Sequence, residues 1–382
     1  MKPRFYLSRN GDEYGDFSAL IKPASSLCDL RCRYCFYADV SDLRQVKSYG
    51  IMSRETAHTL IDRAYAASGN SGQVHFAFQG GEPTLAGFDF FEDFTAYARE
   101  QKPAGVSLHY SIQTNGIHLN DHWCGLFAQN GFLVGLSLDG EESLHDLNRV
   151  DAKGAGTAGQ VLKAACTLKR HGVDFNILSV ITAQAAKRPR QLFRFFKGHG
   201  FDFVQFIPCL APLDHPGEQA PYSLSPRLYA SFLKELFSLW LQEIQNGYYM
   251  SIRLFDNLTR MAAGLPPEMC GMLGFCQPQF VIEADGGVYP CDFYVLDEFR
   301  AGSILERPFD ELAKAPPMKE FLARSGEKQN PMCATCRVRP LCGGGCFRYR
   351  DFYFSQPGYC PYQDFLTSAL PGLRQAASLA FQ

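Results

Sequence analysis

Eleven of the fourteen cysteines in this 382-residue chain are clustered, and no other feature limits the chain as much. Three lie at positions 28, 32 and 35, and eight lie between 270 and 360. Thiols gathered in this way are either paired as disulfides or used as metal ligands, and the redox compartment decides which. The opening run, MKPRFYLSRNGDEYGDF, interrupts every apolar stretch with charge and has no secretory core. Nor does any run approach the ~18 consecutive apolar residues of a membrane span. The expectation is a soluble, cytoplasmic protein with no membrane partner, whose clustered thiols bind metal. Cys124, Cys166 and Cys209 stand apart and read as small buried hydrophobes.

The remaining composition is that of an ordinary globular protein. Hydrophobic residues at 46% and charged residues at 20% exclude disorder and coiled coil, and the length suits two domains. A formal charge of −2, from 37 Lys and Arg against 39 Asp and Glu, argues against a nucleic-acid partner.

Short β-branched and aromatic runs alternate with helical patterns through the first two-thirds. Strands are expected at Phe17–Lys22, Gln73–Gln79, Val106–Gln113, Phe132–Leu138, Val173–Thr182 and Asp202–Pro208. Helices are expected at Ser53–Ser68, Phe88–Arg99, Asn120–Gln129, Thr157–His171 and Pro189–His199. Such alternation implies parallel strands with right-handed crossovers. Six units fall short of the eight in a closed barrel, so the fold class is α/β, an open partial (β/α)6 barrel with its site at the C-terminal strand ends. A long helix, Pro226–Asn246, follows. After about Asp256, Gly, Pro and Cys become dense, regular structure looks sparse, and Gln279–Glu283 with Val288–Pro290 flank an Asp-Gly turn as a small hairpin. The division expected is 1–256 for the barrel and 257–382 for a small, metal-organised Cys-rich domain.

The first cluster is Cys28-x3-Cys32-x2-Cys35, directly after the first strand, with the aromatic Tyr34 before its last cysteine. Three thiolates hold three irons of a [4Fe–4S] cube and leave the fourth open as a binding position; a zinc site short of one ligand is the alternative. Gly80-Gly81-Glu82-Pro83 follows the second strand, where glycines let the backbone approach a ligand closely. Together these motifs resemble the radical S-adenosylmethionine enzymes, whose fold is the partial barrel inferred above. The resemblance implies that methionine's amino and carboxylate groups chelate the open iron, and that the reduced cluster cleaves the sulfonium to a 5′-deoxyadenosyl radical. It also implies that Glu82 pairs with the ammonium, Ser137 bonds the ribose or the methionine group, Arg149 meets the carboxylate and Leu210 covers the adenine. Gln113 and Asn115 are weaker candidates.

The eight late cysteines are Cys270, Cys276, Cys291, Cys333, Cys336, Cys342, Cys346 and Cys360, enough for two complete four-thiolate sites. Spacing alone leaves two Zn(Cys)4 knuckles or two fully ligated [4Fe–4S] clusters open. The arrangement resembles the SPASM extension of radical enzymes that modify peptides, and the whole chain is most similar to the anaerobic sulfatase-maturating enzymes. Segments that carry this include Ile21-Lys-Pro-Ala-Ser-Ser26, Cys35-Phe-Tyr37, Phe78-Gln-Gly-Gly-Glu-Pro-Thr84 and Val288-Tyr-Pro-Cys-Asp-Phe-Tyr294. By that resemblance, Cys270, Cys276, Cys291 and Cys346 hold one auxiliary cluster and Cys333, Cys336, Cys342 and Cys360 the other, giving three [4Fe–4S] clusters in all. Asp292 is then the base that deprotonates the substrate side chain, beside a cluster able to accept an electron.

The function implied is oxidation of a Cys or Ser in a sulfatase motif, C-x-P-x-R or S-x-P-x-R, to Cα-formylglycine under anaerobic conditions, with 5′-deoxyadenosine and methionine as products. The partners implied are an unfolded or nascent sulfatase and a one-electron donor such as flavodoxin or ferredoxin. Arg337, Arg339, Arg348 and Arg350 offer basic residues for docking such a donor, although a solvated surface is the plainer reading. Three rivals differ in product or class: a peptide maturase forming thioether or carbon–carbon crosslinks, a zinc-organised binding module, and a plain electron carrier.

Overall fold

Apolar strands buried on both faces need helices on both sides of the sheet, or a sheet curved around its own core. The chain takes the second course. The computed structural model describes residues 15–215, 220–327 and 329–380; residues 1–14, most of the opening run read above, lie outside the described residues. Six parallel strands run in sequence order: β1 Phe17–Ile21, β2 Ser71–Phe78, β3 Gly105–Thr114, β4 Phe132–Ser137, β5 Phe175–Ile181 and β6 Phe203–Pro208. Their boundaries lie within two residues of those expected from the hydrophobic pattern. Alternate residues point inward, as with Phe17, Ala19 and Ile21 of β1, which are buried.

The sheet does not stop at six. Strand β7, Ser251–Ile252, extends the β6 edge, while β8 Val281–Ile282, β9 Gly287–Tyr289 and β10 Gly302–Ser303 extend the β1 edge. β8 lies parallel to β1, and β9 is antiparallel to both β8 and β10. The hairpin read around the Asp-Gly turn is part of the main sheet, and its cross-strand bonds run from Gln279 N–H on Pro290 O to Glu283 N–H on Gly287 O. The two edges, β7 and β10, do not pair, so the barrel is open.

The crossover helices end where their capping residues dictate. Ser53 Oγ accepts Thr56 N–H ahead of the helix Arg54–Ala67, and Asn120 Oδ1 accepts both His122 N–H and Trp123 N–H ahead of Asp121–Asn130. Gly131, at φ +64°, closes that second helix. Between helix and sheet, Phe78 stands edge-on to Phe91 and Phe94 at 4.9 and 5.0 Å, an aromatic packing that seats the second crossover.

The C-terminal third corrects one expectation. It contains the helices Pro316–Glu327, Phe347–Tyr353 and the 20-residue Pro361–Ala380. The last packs along Pro226–Gln245, where Phe365 meets Phe237 and a Cβ at Gly372 would press within 2.8 Å of Leu241 and Phe237. The Lys234–Asp364 ion pair at 2.6 Å closes the same seam. Density of Gly, Pro and Cys obscured a helix whose apolar face matches a partner far away in sequence. Cys166 is exposed, whereas Cys124 and Cys209 are buried; the single-cysteine reading fails at Cys166 because it sits on the outer face of Ala158–Arg170. Among the described residues no helix is long and apolar enough to cross a membrane.

A buried ion pair ties the segment after the first thiol cluster to the late part of the chain. Arg44 Nη1 lies 2.6 Å from Glu283 Oε1, both side chains are fully buried, and Tyr37 OH also donates to Glu283. Glu283 follows β8, while Arg44 and Tyr37 follow the first thiol cluster. Removing one member leaves an uncompensated buried charge. Glu283→Ala is therefore expected to lower unfolding free energy by about 3–5 kcal/mol, read from urea midpoints, and Arg44→Met in the same chain to recover part of that loss.

Candidate active site

Parallel strands place every βα loop on one rim, and the three early thiols enter there. Cys28 and Cys32 lie in the loop after β1, and Cys35 caps the short helix Phe36–Asp42. Cys28 is in electrostatic reach of Cys32, and Cys32 of Cys35. Burial pushes the Cys28 thiol up to about 12 and the Cys32 thiol to about 11, with Arg149 opposing the latter.

The loop that carries them rests on the Gly-Gly-Glu-Pro turn after β2. Gly81 N–H donates to Ser25 O and Glu82 N–H to Leu27 O, at 2.9 and 2.8 Å. Gly80 sits at φ +126°, and a Cβ there would come within 2.8 Å of Ser25 O; one at Gly81 would collide with the Leu27 carbonyl. Glu82 is fully buried. Its Oε1 accepts from Thr84 N–H, Thr84 Oγ1 and Thr114 Oγ1, and its Oε2 accepts Asn115 N–H at 2.8 Å. Burial outweighs these bonds and raises its pKa. The remaining acceptor capacity of this carboxylate is on Oε2.

Ser137 ends β4 and accepts Gln113 Nε2 at 3.0 Å; Gly135 leaves the room that the Gln113 side chain occupies. Arg149 is buried in the loop beyond, its Nη1 3.9 Å from Cys32 Sγ and its guanidinium 5.5 Å from the Tyr34 ring. Leu210 lies just past β6, where Cys209 N–H bonds Ile181 O. Asn115 Nδ2 donates to Asp29 Oδ1 beside Cys28.

Asp292 reaches the same rim from the other end of the chain. It follows Cys291 and opens the 3-10 turn Asp292–Tyr294. Its Oδ1 lies 2.5 Å from Lys22 Nζ, at the end of β1, and its Oδ2 accepts Gln79 Nε2 at 2.6 Å, at the end of β2. Lys22 is fully buried, and its ammonium lies 3.7 Å from the centre of the Tyr37 ring. The two partners of Asp292 were not singled out in the sequence. A lysine closing the apolar run Phe17–Ile21 is the signal that marks one of them. Asp139 was missed as well, although it stands two residues after Ser137. Its Oδ2 accepts Tyr34 OH and Arg149 Nε, and its Oδ1 accepts Val180 N–H.

The late thiols fall into two groups. Cys291 is in electrostatic reach of Cys346 and Cys270, and Cys270 and Cys346 are each in reach of Cys276. Cys333, Cys336, Cys342 and Cys360 line one cavity with Tyr353 and Tyr362. Burial pushes Cys346 up to about 12 and Cys342 to about 11. Crowded, buried thiolates of this kind need a cationic group between them. Arg348 and Arg350 are buried, bonded to Ala211 O and Ser325 O, so they are structural residues and not a docking face.

Residues 23–195 match the model of the radical SAM superfamily, and residues 275–337 that of the SPASM iron–sulfur cluster-binding domain. The chain is 43% identical to a cysteine-type anaerobic sulfatase-maturating enzyme of Clostridium novyi, over 87% of this chain and 88% of that one. It is 43% identical to one of Clostridium perfringens, over 94% and 98%. Native anSMEcpe with bound AdoMet superposes with a TM-score of 0.88 at 41% identity, covering 95% of this chain and 99% of that chain. The same protein with bound AdoMet and the Cp18Cys peptide also gives 0.88.

One buried histidine makes this rim sensitive to acid. His145 Nδ1 faces Asp139 N–H at 3.3 Å and its Nε2 faces Thr157 Oγ1 at 3.1 Å, an arrangement for a neutral ring. Burial pushes its pKa down to about 4, against ~6.5 for an unfolded histidine. Between those values the unfolded chain binds a proton that the folded chain refuses, so stability falls as pH drops through this window. His75, also pushed down to about 4, adds to the same slope. In urea titrations across pH 4–7, His145→Gln is expected to flatten the pH dependence by up to about one proton.

Proposed function

The chain belongs to the anaerobic sulfatase-maturating enzymes of the radical S-adenosylmethionine superfamily, and from that membership we propose the roles of its residues. The enzyme oxidises the cysteine of a sulfatase motif to Cα-formylglycine. The observation that carries this assignment is Asp292, held between Lys22 and Gln79 one residue from a thiol of the first late group. Cysteine is the proposed target because relatives named as cysteine-type share 43% identity over most of their length.

Cys28, Cys32 and Cys35 would hold the cluster with an open iron. Cys270, Cys276, Cys291 and Cys346 would hold one auxiliary cluster, and Cys333, Cys336, Cys342 and Cys360 the other. When bound, the first cluster and S-adenosylmethionine supply a 5′-deoxyadenosyl radical that removes a hydrogen atom. The protein's part is to position the ligands and manage a proton. Gly80 and Gly81 bring the rim backbone close, Glu82 Oε2 faces the ammonium, Arg149 the carboxylate and Ser137 the ribose or the methionine group. Tyr34 and Leu210 bound the adenine space. Asp292 takes the thiol proton of the substrate cysteine, and its two fixed partners hold the accepting oxygens in place.

The substrate is an extended, unfolded or nascent sulfatase segment lying across the rim, where backbone bonds give affinity and pockets give register. Electrons arrive from an external one-electron donor such as flavodoxin or ferredoxin, in the cytoplasm. The working division is a barrel over 1–256 and an auxiliary-cluster domain over 257–382.

Anaerobically reconstituted protein is expected to hold about twelve irons. With reductant, S-adenosylmethionine and a peptide of about 18 residues bearing C-x-P-x-R, long enough to cross the rim extended, mass spectrometry should find an aldehyde in place of the thiol. A crosslinked product without an aldehyde would overturn the assignment in favour of a crosslinking maturase. Asp292→Asn is expected to cut aldehyde formation by about 10²–10⁴-fold, with 5′-deoxyadenosine still formed.

A further inference from the structure

An arginine can present a bidentate fork to a carboxylate only when its guanidinium is held in one orientation. Arg149 is almost wholly buried, and a long, unrestrained side chain at such a site would lose much of its binding advantage to rotamer freedom. Its restraint comes from Asp139. Oδ2 of that residue takes Arg149 Nε at 3.1 Å, which leaves the two terminal amino groups unbound to it. Nη1 then lies 3.9 Å from Cys32 Sγ, and Nη2 has no hydrogen-bond partner among the described residues.

Asp139 is itself fixed from three sides. Val180 N–H on β5 donates to Oδ1 at 2.8 Å, Asp139 N–H faces His145 Nδ1, and Tyr34 OH from the thiol loop shares Oδ2 with Arg149. Gly140, at φ +115° with Leu192 against it, turns the chain directly afterwards. One carboxylate therefore joins β4, β5, the thiol loop and the arginine arm. A buried ion pair of this kind contributes geometry more than net stability.

We propose that Asp139 is a positioning residue for cofactor binding: it aims the Arg149 fork at the carboxylate of S-adenosylmethionine and, through Tyr34, sets the thiol loop against it. This rests on the assignment of Arg149 to the methionine carboxylate. Asparagine in place of Asp139 keeps the shape but lacks the charge, and it cannot accept Val180 N–H, Tyr34 OH and Arg149 Nε together without turning its own amide donor on one of them.

The experiment measures S-adenosylmethionine affinity of the reconstituted enzyme by equilibrium dialysis, with iron content and thermal midpoint recorded for each variant. Asp139→Asn is expected to weaken binding about tenfold to a hundredfold, with iron content retained. The Michaelis constant for S-adenosylmethionine should rise while that for peptide stays unchanged. Arg149→Ala should weaken binding similarly, and the double variant should be no worse than the worse single one, since both changes remove one device. Tyr34→Phe, which deletes only a hydroxyl, should fold normally and show a smaller loss in the same direction. Wild-type affinity in both Asp139→Asn and Tyr34→Phe, beside a weakened Arg149→Ala, would overturn the inference alone. Wild-type affinity in Arg149→Ala would overturn the assignment of Arg149, and the inference with it.

Discussion

The active rim depends on a backbone-to-backbone contact between two loops. The thiol loop after β1 and the glycine turn after β2 are joined by N–H groups of Gly81 and Glu82 bonding to carbonyls of Ser25 and Leu27. Hydrogen bonds of this type are indifferent to side-chain identity, but they need the two chains to approach more closely than a Cβ allows. Two adjacent glycines satisfy that demand. Their neighbour Glu82 then turns inward and ties the same turn to Thr114 and Asn115 at the end of β3. Three successive strand ends are thereby locked into one surface, and the thiols of the first group stand on it.

Three buried ion pairs continue that surface around the barrel. Lys22 with Asp292 and Arg44 with Glu283 join segments remote in sequence, while Arg149 with Asp139 braces the two ends of one stretch of the loop after β4. None is expected to add much net stability, because desolvation offsets most of the attraction. Their effect is on geometry, since a buried charge has few alternative partners and holds its counterpart to one position. Two of the three attach the late, cysteine-rich part of the chain to the loop after β1. Tyr37 lies between them, its ring against the Lys22 ammonium and its hydroxyl on Glu283. The late region is thus an extension of the barrel sheet through β8, held by buried charge as well as by strand pairing.

Much of this was legible in advance, and the parts that were not have a common cause. Strand alternation located β1 to β6 because each strand's burial pattern is local, with period two. Ser53, a good N-cap residue, marked a helix start for the same local reason. Misreadings occurred where a residue's environment is supplied from elsewhere. Cys166 was read as buried, but its place on an outer helix face leaves it exposed. Arg348 and Arg350 looked like surface charges, yet carbonyls at Ala211 and Ser325 receive them in the interior. The helix Pro361–Ala380 was hidden by composition, and its partner lies more than a hundred residues earlier.

The sequence by itself determined the chemistry on offer. It contains eleven clustered thiols, a glycine pair, a motif arginine and a carboxylate next to a cysteine, and residue type with spacing is enough to limit what such groups can bind. Tertiary structure decided which of them act together. Spacing could not divide eight late cysteines into two groups, because thiols close in sequence, such as Cys342 and Cys346, point into different clusters of neighbours. Nor could it pair Asp292 with Lys22 and Gln79, or Asp139 with Tyr34 and Arg149, since each set is assembled from loops that only parallel strands bring to one rim. Hydrogen bonds and ion pairs depend on distance in space over a few ångströms, and a linear pattern records that distance only where the chain is locally regular.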